Sequence, residues 1–270
     1  MNALYLTTLV VMNLSLAAVD DAAKDKVDAS KPCFAAKEYI TVISYLRDDK
    51  SFEIQEEQAR KIAERVSDGC EGAAERFIRT VSVLRKAEVS ARDALEMGVQ
   101  VSHKHEVAGK AFVEIFSVCF SEDHLDLDLK WCSKLAKDLT VDFQGDIPVA
   151  LSDFKNTVDY CISKSDMNLP RQECAKIAQK VAVASQIAEQ SMYKDFKRVV
   201  EFIKGQSELG KAPVPQIAQM ALDVLNQGRS GADNFVSGYK FALADSGLKL
   251  TPDQALSFAR QMASKKAKAE

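Results

Sequence analysis

The sequence predicts an all-α protein, an α-solenoid-like array of six antiparallel two-helix units of about 40 residues each. Three observations predict it. An aromatic content of 7%, with 11 Gly and 6 Pro among 270 residues, leaves few of the turn and strand signals that an antiparallel β fold needs. A stripe opened by an aromatic residue recurs six times, with starts separated by 38, 35, 42, 42 and 39 residues. A second stripe built around a small residue follows each copy after a short interval.

The elements follow in chain order. Ala3 to Val19 carries no charge and ends in Ser15, Leu16, Ala17 and Ala18 ahead of Asp20 and Asp21, the layout of a cleavable secretory signal over residues 1–18. Its apolar run falls short of the roughly 20 residues of a spanning helix and is interrupted by Thr7, Thr8, Asn13 and Ser15. The mature chain is therefore expected to lack a membrane span. Residues 19–32 mix Asp, Lys and Ala without periodicity up to Pro32 and read as a flexible linker. A helical domain is expected over 33–264, divided at 33–72, 73–108, 109–149, 150–190, 191–231 and 232–264, and Lys265, Lys266 and Lys268 form a basic tail over 265–270.

The first stripe opens at Tyr39, Phe77, Phe112, Phe154, Phe196 and Phe235, positions expected to be equivalent and buried. It continues with an apolar residue four on, another six on (Tyr45, Val83, Val118, Tyr160, Phe202, Phe241) and a third seven on (Leu46, Leu84, Cys119, Cys161, Ile203, Ala242). At about 100° per residue, offsets zero, four and seven share one helical face, whereas offset six lies well away from it. Such a helix packs both on its own partner and on neighbouring hairpins.

The second stripe opens at Ala59, Ala94, Cys132, Cys174, Ile217 and Ala255, and four residues later carries Ala in every copy but one, where Gly98 stands. Two helix backbones are expected to approach closely there. Pro170, Pro213 and Pro252 mark the starts of the second helices of units four to six, where a missing N–H costs nothing. Thr251, three residues before Gln254, reads as a capping box, and Asp126 and Asp128 flank the corresponding start in unit three. Gly228, Arg229, Ser230 and Gly231 connect units five and six. The last hairpin, with no downstream neighbour in the repeat, is expected to turn a more polar or more mobile face outward. In length and plan the unit resembles tetratricopeptide, Sel1-like and HEAT-type repeats, but it carries neither the Trp, Gly and Tyr signature of the first nor the Gly-rich turns of the second.

Six cysteines in a chain with an export signal favour disulfides, and none forms a C-x-x-C pair that would point to zinc or thioredoxin-like chemistry. The repeat register pairs them. Cys119 with Cys132, and Cys161 with Cys174, occupy matching positions of the two helices of units three and four, so antiparallel packing should bring each pair face to face. By elimination Cys33 pairs with Cys70 at the open end of unit one. Small buried thiols are the alternative, because Leu46 with Ala59 and Leu84 with Ala94 stand at the same sites elsewhere.

Little else carries chemistry. His103 and His105 sit in a polar turn. A cation held by Asp123, His124, Asp126 and Asp128 competes with plain helix-start acidity. No nucleophile elbow or phosphate loop is present, and Trp131, the single tryptophan, is needed for packing beside Cys132. A net charge of −3 with 28% charged residues gives no footprint for nucleic acid. The expectation is an exported, non-catalytic scaffold that binds a protein or peptide partner and holds no cofactor or metal. The alternatives are a secreted enzyme with its site in the groove of the array, and a structural envelope component.

Overall fold

The computed structural model describes residues 35–49, 52–142, 145–228 and 230–264. The expected leader, linker and tail, together with Cys33 and Arg229, lie outside the described residues. Those described form twelve helices and no strand, arranged as six hairpins. Hairpin one is α1 (Ala36–Asp48) with α2 (Glu56–Ser67), and hairpin two is α3 (Ala73–Lys86) with α4 (Ala91–Ser102). Hairpin three is α5 (Glu106–Phe120) with α6 (Leu129–Thr140), and hairpin four is α7 (Ile147–Ile162) with α8 (Arg171–Ala188). Hairpin five is α9 (Tyr193–Lys204) with α10 (Val214–Leu225), and hairpin six is α11 (Gly231–Leu243) with α12 (Pro252–Ser264). Each helix packs most extensively on its own partner, and each first helix also packs on the first helix of the next hairpin.

The periodicity explains this arrangement. Phe77, Phe112, Phe154, Phe196 and Phe235 are fully buried, each worth roughly 1.5–3 kcal/mol of burial. Tyr39 departs from the expectation and is only partly buried, because no described hairpin precedes α1. The residues at offset seven and the heads of the second stripe are buried in all six hairpins, and in hairpins three and four they meet across the pair. Close approach is real at Gly98, where a Cβ would lie 2.6 Å from Val81 Cγ2 and 2.8 Å from Phe77 Cδ2. The aromatics at offset six serve the next hairpin: Tyr45 meets Phe77 edge-on at 6.3 Å, and Phe202 meets Tyr239 at 5.6 Å.

The helix starts behave as their residues dictate. Asp128 and Asp146 accept from the backbone N–H groups of Trp131 (2.9 Å) and Val149 (3.0 Å). Thr251 and Gln254 close the expected box, with Thr251 N–H donating to Gln254 Oε1 at 3.1 Å and Gln254 N–H to Thr251 Oγ1 at 3.4 Å. Pro252 is the first residue of α12, while Pro170 and Pro213 take the preceding cap position of α8 and α10.

Within hairpins three, four and six the loop repeats bond for bond. The N–H groups of Leu127, Leu169 and Leu250 donate to the carbonyls of Cys119, Cys161 and Ala242 at 3.1, 3.0 and 2.8 Å. In each loop the preceding residue is left-handed: Asp126 (φ 48°), Asn168 (φ 50°) and Lys249 (φ 51°). Glu53 and Glu88 do the same in hairpins one and two. Hairpin two has the shortest connection, four residues between its helices against seven to nine in the others.

Polar side chains just before the opening aromatic tie successive hairpins together. Glu38 of α1 accepts from Ala74 N–H at the start of α3 (2.7 Å). Arg76 of α3 donates to the carbonyls of Gly69, Glu71 and Ser102, gathering the ends of α2 and α4. Asp153 of α7 is fully buried and accepts four hydrogen bonds, from Ser185 Oγ (2.6 Å), Ser191 Oγ (2.7 Å), Met192 N–H (2.7 Å) and Tyr193 N–H (3.0 Å), which fixes the start of α9.

Candidate functional site

Cys119 and Cys132 are joined as a disulfide across α5 and α6, with Cα atoms 5.4 Å apart, the pairing the register requires. Hairpin four differs from the expectation. Cys161 and Cys174 are two fully buried thiols that hydrogen-bond to one another, and Cys174 Sγ also faces Leu169 O at 3.6 Å. The hydrogen bond with Cys174 and then burial push the Cys161 thiol above its ordinary range. Cys70 is half-buried at the end of α2 with left-handed backbone, and its Sγ lies 3.9 Å from Asp68 O. The Cys33 half of its expected pairing falls outside the described residues.

Most of the histidine and aspartate cluster is taken up by the fold, while His124 Nδ1 is buried without a hydrogen-bond partner among the described residues. His105 caps α5 through Nδ1, which accepts from Val107 N–H at 3.4 Å, and His103 is the C-cap of α4. Asp126 pairs with Arg171 of the next hairpin at 2.7 Å, Asp128 caps α6, and Arg171 also donates to Glu122 O at 2.8 Å. Among the described residues no group of three or more His, Cys, Asp or Glu side chains is placed to hold a metal ion.

A cleft of about 1140 Å³ lies between hairpins one and two. It opens where the tip of hairpin one, Phe52 to Ile54, stands beside the shorter tip of hairpin two. Its floor is apolar: Phe52, Leu95 and Val99 are buried, and Ile54 and Ile62 are half-exposed. Lys61, Arg65 and Arg92 stand on the rim with Glu53, Asp93 and Glu96, so cations and carboxylates are balanced. Arg65 spans the cleft wall, its two terminal nitrogens each 3.1 Å from an oxygen of Glu96. That fork, charge-assisted on both sides, holds the Glu96 carboxyl below the usual range.

The lining contains no His or Cys, and its one serine is committed to the cap of α4, where Ser90 Oγ accepts from Asp93 N–H at 3.1 Å and donates to Asp93 Oδ2 at 2.7 Å. What the cleft offers is an apolar floor of five side chains framed by both signs of charge. Sequence reasoning missed it, because the cleft comes from a difference in loop length between neighbouring hairpins and not from a motif. The 35-residue spacing between the first-stripe starts of units two and three, the shortest of the five, is its only trace in the sequence. Among the described residues no helix is long and apolar enough to cross a membrane. The chain matches no protein-family model, and neither the characterised proteins nor the solved structures compared with it contain a match.

Proposed function

We propose that the protein is an exported, non-catalytic scaffold whose cleft between hairpins one and two binds a segment of a protein or peptide partner. The observation that carries this reading is the cleft itself, open to solvent, apolar at its floor and balanced in charge at its rim. Such a surface suits a segment that inserts apolar side chains between α2 and α4 and sets mixed charges against Lys61, Arg92 and Glu53. It is poorly suited to a polyanion, which would need a rim of one sign. Export is supported by the leader-like residues 1–18 and by the Cys119–Cys132 disulfide, which fits an oxidising compartment.

Panning a displayed peptide library against the intact chain tests the proposal. Enriched peptides should lose binding to Ile62→Asp and keep it with Ile187→Asp, a substitution of an exposed α8 residue outside the cleft. Failure to enrich any peptide, or ligands indifferent to Ile62→Asp, would sink this reading.

A further inference from the structure

Four of the five internal junctions share one arrangement, hairpin two with its short loop being the exception, and the first and last hairpins among the described residues expose its two halves. On the downstream face of a hairpin the contributors are the residue at offset six and a loop residue seven positions later. In hairpins three and four that loop residue is Leu125 or Met167, both buried, with N–H groups bonded to the carbonyls of Val118 and Tyr160. Hairpin six repeats this geometry, Leu248 N–H donating to Phe241 O at 3.2 Å. Yet Phe241 is 52% exposed and Leu248 45% exposed. The last hairpin thus displays an apolar pair whose loop members in hairpins one, three, four and five, Phe52, Leu125, Met167 and Leu209, are buried.

The upstream face is more varied. Just after the opening aromatic, Ile78 and Val236 are packed against the core, and Lys197 Nζ stands 5.1 Å above the Tyr160 ring of the preceding hairpin. At offset eight, two basic residues reach the previous hairpin's loop. The Arg85 guanidinium lies 6.0 Å from the Phe52 ring centre, and Lys204 Nζ donates to Asp166 O at 2.7 Å. In hairpin one these two positions are Ile40, 62% exposed, and Arg47, an exposed side chain paired with Glu56 of its own hairpin.

We infer that the protein self-associates head to tail, hairpin one of one copy stacking on hairpin six of another as a seventh unit of the array. Ile40 then covers Phe241, and Arg47 reaches the loop that carries Leu248. A second copy is the occupant because this chain itself supplies both complementary faces, in the register of the junction of hairpins one and two, where Ile78 packs on the core and Arg85 lies over Phe52. The contact is heterologous and leaves one face open at each end, so assemblies lengthen with concentration instead of closing as a dimer.

Sedimentation velocity of the intact chain, from micromolar to hundreds of micromolar, should show mass growing past the dimer. Ile40→Asp and Phe241→Asp each alter an exposed side chain, so helicity and thermal unfolding should stay at the wild-type level while growth is abolished. Mixed in equal amounts, the two variants retain one good face each and should form a dimer that grows no further. Arg47→Glu should weaken association several-fold with the apolar faces intact. A chain that stays monomeric over the whole range, growth that persists in either aspartate variant, or a mixture that stays monomeric would overturn the inference.

Discussion

Hairpins three and four trace the same backbone through the same loop, with the same left-handed residue and the same carbonyl contacts, yet they are cross-linked by different chemistry. Hairpin three has a disulfide between α5 and α6 and a plain Ala111 before its opening Phe112. Hairpin four has two buried thiols at the disulfide's position and, where Ala111 stands, an Asp153 that accepts four hydrogen bonds and anchors the next hairpin. Their loops are clamped from downstream by Arg171 in one case and Lys204 in the other. The backbone register is thus set by the apolar stripes and the loop's own hydrogen bonds. The cross-links are laid over it and differ from unit to unit.

The comparison breaks most sharply at Asp153. Asp153→Ala should cost about 3–5 kcal/mol in denaturant unfolding, because two backbone N–H groups and two hydroxyls lose their buried acceptor. A loss below about 1 kcal/mol would mean that α9 is positioned by packing alone.

A smaller effect should come from reduction. Equilibrium unfolding with a thiol reductant should show a loss of about 3 kcal/mol from opening the short loop closed by Cys119 and Cys132. The double substitution Cys161→Ala with Cys174→Ala should leave that reductant-dependent loss unchanged, whereas Cys119→Ala with Cys132→Ala should remove it. The opposite pattern would reverse the roles of the two hairpins.

The smallest effect concerns Asp195, which holds Asp153's position in hairpin five. Its carboxyl is pushed above the ordinary carboxylate range chiefly by burial, with Arg198 opposing the shift and Asp233 adding to it. Because the folded pKa is raised, this group's contribution to stability is fully present below the unfolded pKa and is lost as pH rises through the folded one. Asp195→Asn should therefore match the wild type near pH 3 and exceed it at pH 7, by less than about 1 kcal/mol given the partial exposure. Equal stability of the two proteins at both pH values would show that Asp195 is no more burdened than a surface carboxylate.

The repeat and its register were readable because they rest on apolar side chains at fixed offsets, and so were the Gly98 contact and the box at Thr251. The Cys119–Cys132 link followed from the same register, which by itself could not separate hairpin three from hairpin four. The left-handed loop residues escaped notice, since Glu53, Glu88, Asp126, Asn168 and Lys249 share no side-chain type and include no glycine. The inter-hairpin anchors escaped for a related reason: Glu38, Arg76 and Asp153 occupy one position but solve it with opposite charges. The cleft depends on the relative reach of two neighbouring tips, a property of no single residue.

The four-residue connection of hairpin two has a consequence for how a uniform array acquires an address. Identical units stacked in register would present the same ledge at every step, and a partner could not tell one from another. Trimming a single tip leaves the stack's interior intact, because the helices and their buried stripes are unaltered. It nevertheless makes one step unlike the rest. Recognition can thus be written into such a protein by deletion at a loop, with no new side chain recruited to the core and little penalty in folding.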